Sequence, residues 1–272
     1  DGNIDVNPMF VDTANSNYHL LASSHCINGG DSTTFDSDGS RADIGAYYYH
    51  NEYSGPTWYI TESGNDSTAT GASDDPFRSI QSGINFSSGG DSVTVAAGTY
   101  VENVSLNKTI VLMSSEGAES TIIDANNFGT VVTITDGSDA TLDGFTLQNG
   151  HTSGSNTKSG GLIVLNNDAV VKNCIIKNNQ GHQGGGIYSQ AGSFYNCQII
   201  GNTAEFTGGG VEVNNIGGNS EYQLFENCLI ANNGPVLGGG IYGPCRLVNT
   251  TVVNNTGNYG IASAGTSTIT NS

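Results

Sequence analysis

The chain has 272 residues with 25 acidic and 7 basic side chains, and its formal charge of −18 excludes the basic stripe of a nucleic-acid-binding face. It carries 39 glycines but 5 prolines, so it is turn-rich without being a disordered Pro/Gly tract, and it has no apolar run of about 18 residues that could span a membrane. At 36% hydrophobic it cannot fill a broad globular core, but it can fill a narrow column lined by one or two inward side chains per strand.

Residues 1–50 read as an end rather than a beginning. Asn3-Ile4-Asp5-Val6-Asn7-Pro8-Met9-Phe10-Val11-Asp12 leads into Asn17-Tyr18-His19-Leu20 and then Ser24-His25-Cys26-Ile27-Asn28-Gly29-Gly30. Asp36-Ser37-Asp38-Gly39-Ser40-Arg41-Ala42-Asp43-Ile44-Gly45-Ala46-Tyr47 closes the stretch. This succession resembles the closing segment of bacterial extracellular, pectate-lyase-like β-helix proteins, with His25 in place of the usual proline and Asn7 and Asn28 in place of aspartate. The resemblance implies a segment that follows a last coil, whereas here it precedes a new one. Asp36, Asp38 and Asp43 put carboxylates around Gly39 as a hard Ca²⁺ ion requires, without the twelfth-position Glu of an EF-hand. Two readings stand for this loop: a calcium site, or an Asx-turn in which Arg41 pairs with one carboxylate.

Residues 51–57 form a linker broken at Gly55-Pro56, which divides the chain into a closing segment, 1–54, and a second domain, 55–272. Trp58-Tyr59-Ile60 starts a strand. Asp75 then suits a helix cap, Pro76 the first helical position, and Phe77, Ile80 and Ile84 share one face. Such a helix would cover the open end of a solenoid, which otherwise exposes strand edges. Short strands follow within 91–100, 102–104, 109–113 and 121–124, separated by glycine or asparagine turns. Trp58-Tyr59-Ile60, then Asp75-Pro76-Phe77-Arg78-Ser79-Ile80 and Gly90-Asp91-Ser92-Val93-Thr94-Val95, again resemble the opening of exported pectate-lyase-like proteins.

From Gly144 a short phrase recurs: apolar, any, Asn or Gly, small or apolar, any, aliphatic. Its third position is Gly144, Asn173, Asn196, Asn227, Asn249 and Asn271, at steps of 29, 23, 31, 22 and 22 residues. Asn and Gly share tolerance of positive φ, so the column reads as one repeated bend whose amides bond rung to rung. In phase with it run Gly184-Gly185-Gly186, Gly208-Gly209-Gly210 and Gly238-Gly239-Gly240. A period near 22 without helical patterning or a leucine framework predicts an all-β fold, a right-handed parallel β-helix solenoid with a short N-terminal capping helix. Residues 58–272 would make roughly eight or nine coils spaced about 4.8 Å, a stack of about 40 Å. Cys174, Cys197 and Cys228 share one repeat position and read as a buried stack, with a disulfide conceivable only if geometry allows.

Lyases of this fold pair calcium carboxylates with a basic proton abstractor, and inverting glycosidases set two carboxylates about 6.5–9.5 Å apart. The basic residues Arg41, Arg78, Lys108, Lys158, Lys172, Lys177 and Arg246 are scattered. Asp136, Asp139, Asp143, Glu205, Glu212, His151 and His182 read as turn or surface residues, and no catalytic residue is assigned. Tyr188 and Tyr242, with Glu212 between them, could form an aromatic platform on one sheet or an ordinary outward stack. The reading is a structural module of an extracellular or cell-surface protein. A polysaccharide lyase or hydrolase, or a non-catalytic glycan-binding β-helix, is the alternative. The chain stops just after the bend at Asn271, and a seven-residue linker reaches at most about 25 Å. The expected partner of residues 1–50 is therefore the last coil of another copy, giving head-to-tail association into a filament, or its covalent equivalent in a tandem chain.

Overall fold

The computed structural model describes residues 4–5, 7–135, 137–154, 158–165, 168–214, 223–234, 237–262 and 267–271. The chain forms two compact units, 1–96 and 97–272, so the linker lies inside the first of them. The architecture is a right-handed parallel β-helix.

In the second unit the chain visits three parallel sheets in turn, seven strands in each. The first sheet runs from Val111–Ser114 through Thr141–Asp143, Val170–Lys172, Ser193–Tyr195, Gln223–Glu226 and Cys245–Val248 to Thr268–Thr270. The second begins at Gly98–Val101 and ends at Thr251–Val253, and the third begins at Val104–Leu106 and ends at Ile261–Ala262. Register is kept from rung to rung, so like residues stack. Leu112, Leu142, Val171, Phe194, Phe225 and Leu247 lie in one line of the first sheet. Ile123, Leu147, Ile176, Ile199 and Ile230 line the second. All of these are buried, and Phe194 and Phe225 stack at 4.6 Å between ring centres. Each such side chain contributes roughly 1.5–3 kcal/mol of burial.

Between the first and second sheets the chain turns at Gly144, Asn173, Asn196, Asn227, Asn249 and Asn271, with φ from 48° to 81°. A second column of positive φ lies five residues further on, at Asn149, Asn178, Gly201, Asn232 and Asn254. The residues after four of these second bends, Asn179, Asn202, Asn233 and Asn255, form an amide ladder whose first three members are buried. Asn202 Oδ1 accepts from Asn179 N and Nδ2 at 3.0 and 3.1 Å, Asn233 Oδ1 accepts from Asn202, and Asn255 Oδ1 from Asn233. Each Nδ2 also donates to a carbonyl of the preceding rung: Leu147 O, Ile176 O, Ile199 O or Ile230 O. At the first bend the side chains face solvent, and the amide contacts there run from Asn196 to Asn173 and from Asn173 to Asp143. Water competes for an exposed amide, whereas a buried one must find its partner in the protein.

Cys174, Cys197 and Cys228 stack in the core as free thiols, with Thr250 next in line. Each Sγ points at the carbonyl two residues back, Cys174 to Lys172 O and Cys197 to Tyr195 O at 3.2 Å, and the Thr250 hydroxyl does the same at Val248 O. Hydrogen bonding with Cys174 and Cys228, and then burial, push the Cys197 thiol well above its ordinary range. The glycine trios have another cause. Gly184, Gly208 and Gly238 have φ of 61–64°, and a Cβ on Gly185 would lie 2.1 Å from Thr203 O.

In the first unit, strand Thr57–Ile60 pairs in parallel with Ser92–Val95, and a helix spans Ile80–Phe86. The helix starts later than Asp75 and Pro76 suggest. Phe77 exchanges backbone bonds with Tyr59 and Thr61, and Asp75 is turned to Thr70 N. Asp66 holds the approach to the helix: its Oδ1 accepts from Arg78 N and Ser79 N, just before the first turn, and from Ser82 Oγ within it. Residues 1–54 pack on this helix and its neighbours. Asn85 Nδ2 donates to Ala22 O and Ser24 O at 2.9 Å, Tyr49 OH donates to Ala69 O, and the Tyr49 ring tilts against Phe86 at 5.1 Å.

Two stability measurements test this account. Asn202→Ala strands the Asn179 donors and Ile176 O and is expected to cost about 3 kcal/mol in urea unfolding, whereas Asn196→Gly, at an exposed positive-φ site, changes stability by less than about 1 kcal/mol. Asp66→Ala removes the acceptor of Arg78 N, Ser79 N and Ser82 Oγ and is expected to lower stability by about 2 kcal/mol in the same assay.

Candidate functional site

The third sheet positions the chemically distinctive side chains. Its strands alternate inward and outward residues, and the register aligns Ile163, Tyr188, Glu212 and Tyr242 on the outward side. An outward column is ordinarily solvated, yet Tyr188 is 0% and Glu212 only 4% exposed. The chain leaves the helix between the second and third sheets and returns through the glycine trios. Two of these excursions, Gln180–Gln183 and Thr203–Thr207, pair in parallel as a ribbon.

The Tyr188 hydroxyl collects three donors: Lys158 Nζ at 3.2 Å, Gln190 Nε2 at 3.4 Å and Asn214 Nδ2 at 2.9 Å. The Lys158 ammonium also sits 4.4 Å from the centre of the Tyr188 ring. Burial raises the Glu212 carboxyl to about 7, while the Thr207 hydroxyl and the Lys158 charge pull it down. Glu212 Oε2 and Thr207 Oγ1 are both buried without a hydrogen-bond partner among the described residues; the hydroxyl is near enough to act on the carboxylate but outside bonding geometry. On the ribbon, His182 Nδ1 and Glu205 Oε2 are 2.9 Å apart, Gly154 N donates to the same oxygen, and Phe206 lies parallel to the imidazole at 5.8 Å. The His182 hydrogen bond holds the Glu205 carboxyl below the usual range. A carboxyl that titrates near neutrality can take and release a proton, and this one is only 4% exposed.

Glu205 is a surface carboxylate as the sequence suggests, with a side chain 37% exposed, but Glu212 is not. The Tyr188–Glu212–Tyr242 line is present, and its first member is covered, so it offers no aromatic platform at Tyr188. Lys158 is one of the scattered basic residues in sequence, and its pairing with Tyr188 is hidden because the two lie 30 residues apart, about one rung; the shared register of the glycine trios is the available signal. Asp143 pairs with Lys172 at 3.3 Å, and Asp139 N donates to Thr109 Oγ1. Asp136 lies outside the described residues.

In the first unit, Asp36, Asp38 and Asp43 turn their oxygens to the protein itself. Asp36 accepts from Asp43 N, Asp38 from Ser40 N and Oγ, and Asp43 from Asn28 N and Tyr49 N. Burial raises the Asp43 carboxyl. Arg41 donates to Gly30 O. Among the described residues no group of three or more His, Cys, Asp or Glu side chains has the arrangement of a metal site.

Residues 62–119 match a family model described as "Protein of unknown function (DUF1565)", and no curated protein matches the chain. Among solved structures the chain is similar to a pectin methylesterase from Aspergillus niger, at 14% identity and a TM-score of 0.45 over 79% of this chain and 83% of that one. It is also similar to a rhamnogalacturonan lyase, at 18% identity and 0.48 over 79% and 62%, and to a pectin methylesterase from Erwinia chrysanthemi, at 14% and 0.44 over 68% and 59%. The aligned part therefore spans less than two thirds of the latter two proteins. The family match takes in the capping helix and stops before Lys158, Tyr188 and Glu212.

Proposed function

We propose that the chain is a structural module of an exported protein, joined end to end with other β-helices through residues 1–54. One observation carries this reading: a segment of the closing type is docked on the capping helix of its own unit while keeping an apolar surface outside. Its inner side is fastened by Asn85 and Tyr49. Tyr18, Phe35, Tyr47 and Tyr48 remain 38–67% exposed, and His19 stacks on Tyr47 at 4.5 Å beside an open groove of about 430 Å³ lined by Asn17, Tyr48 and His50. Exposed aromatics gathered on a short segment mark an interaction surface. The occupant proposed is the C-terminal end of another copy's β-helix. A head-to-tail contact of this kind does not close, so repetition yields a filament. The surplus of carboxylates suits an extracellular or cell-surface setting by keeping such modules soluble. Among the described residues no helix is long and apolar enough to cross a membrane.

A second reading, a glycan-binding face, is favoured by the flat pair His182 and Phe206, the latter 61% exposed. Sugar rings stack on such surfaces as other apolar faces do.

Sedimentation of residues 1–272 over a concentration series decides between them. The expected result is concentration-dependent association and filaments by electron microscopy, both abolished in Phe35→Ser/Tyr47→Ser without loss of thermal stability. A full chain that stays monomeric throughout would refute end-to-end stacking. For the second reading, pectic oligosaccharides are expected to bind residues 1–272 and to lose at least about tenfold in affinity with Phe206→Ala, roughly the worth of one well-placed aromatic contact.

A further inference from the structure

The ribbon of Gln180–Gln183 and Thr203–Thr207 ends at Thr207, beside the covered carboxyl of Glu212. Backbone bonds fasten this corner: Gly184 N donates to Thr207 O, and Gly208 N to Leu237 O. Among the described residues nothing donates to Glu212 Oε2, and Thr207 Oγ1 beside it is equally unmatched. A neutral carboxylic acid carries a proton it can turn toward that hydroxyl, and it leaves no net charge under the ribbon. A carboxylate can accept from the same hydroxyl, but it leaves a buried net charge with no cation at ion-pair distance among the described residues. The charged and titratable groups around it do not remove the difficulty. Lys158 is more than ion-pair distance away and is engaged with Tyr188. Tyr188 and Tyr242 flank Glu212 in the sheet and bring no positive charge to it. On the ribbon, Glu205 is paired with His182, and His151 acts on Glu205 from the neighbouring excursion.

We propose that the ribbon is a proton-dependent cover over the third sheet, closed when Glu212 is neutral and loosened when it ionises. The folded carboxyl keeps its proton up to about pH 7, against an ordinary value of 4.5. The closed state therefore binds more protons than the open one between these limits. Its advantage is full below the lower value, falls as pH rises through the window and levels off above it. An equilibrium constant changes tenfold per unit of such a shift, so opening is expected to become roughly a hundredfold more frequent across the window. What opens is the face carrying Tyr188, Lys158 and Glu212, so acidity would control access to it.

Amide hydrogen exchange of residues 1–272 from pH 5 to 8.5, corrected for the intrinsic pH dependence of exchange, tests the proposal. The expected result is about a hundredfold loss of protection at Gly184 and Gly208, with Gln198 N, bonded to Cys174 O in the second sheet, as the unaffected reference. Glu212→Gln, a mimic of the neutral acid, should flatten the profile. His182→Gln removes the imidazole that bonds Glu205 on the ribbon and should leave the profile in place. Parallel profiles at Gly184, Gly208 and Gln198 in the wild type would overturn the proposal. So would a wild-type profile that survives Glu212→Gln or disappears in His182→Gln. Should the Glu212→Gln variant fail to fold, the wild type and His182→Gln decide by the same criteria.

Discussion

In-register stacking is the constraint on which this molecule depends. Each rung places a residue directly over its counterpart, so an interior polar group can be satisfied only by its copies above and below or by the backbone between them. The Asn179–Asn202–Asn233–Asn255 ladder is the clearest result. The amide oxygens of Asn202, Asn233 and Asn255 each take two donors from the rung before, that of Asn179 takes Gly150 N, and each amide nitrogen closes a carbonyl of the preceding rung. No other side chain of that size offers a donor and an acceptor at the same reach. The Cys–Cys–Cys–Thr line follows the same rule with a smaller group, each thiol or hydroxyl turned to the carbonyl two residues back.

Stacking also explains why the third sheet acquires a second buried layer. Excursions leave the helix at equivalent places in successive rungs, so they lie over one another and pair. The glycine trios bring the chain back through a gap in which a Cβ would strike backbone. An outward position beneath these excursions becomes an interior one. Tyr188 meets that environment with three hydrogen bonds to its hydroxyl; Glu212 meets it with an incomplete set and a carboxyl raised toward neutrality. The difference in satisfaction separates Tyr188, bonded by three donors, from Glu212, whose Oε2 has none among the described residues.

The first unit closes its own strands by the same physics. A β-helix end presents free backbone groups above an apolar column. The helix Ile80–Phe86 buries Ile80 and Ile84, Asp66 holds the approach to it, and Asn85 extends the bonding into residues 1–54 through two carbonyls. The carboxylates around Gly39 serve this local architecture as acceptors for backbone N–H groups.

The amino-acid sequence by itself determined the solenoid and the first bend column, because positive φ restricts those sites to asparagine and glycine and the spacing of Gly144, Asn173 and Asn196 repeats that restriction visibly. It determined the presence of a capping helix through the spacing of Ile80 and Ile84, but not its start: Asp75 and Pro76 have the composition of a cap, and a backbone pairing of Phe77 with the strand at Tyr59 overrode it. The second asparagine column was present in the sequence at a constant distance from the first, yet which column is buried depends on how neighbouring rungs close over it. Only the tertiary structure decided that. It likewise decided that Glu212 is covered while Glu205 is not. Burial at an outward position is set by excursions from other rungs, tens of residues away, and local composition carries no record of where they fold back.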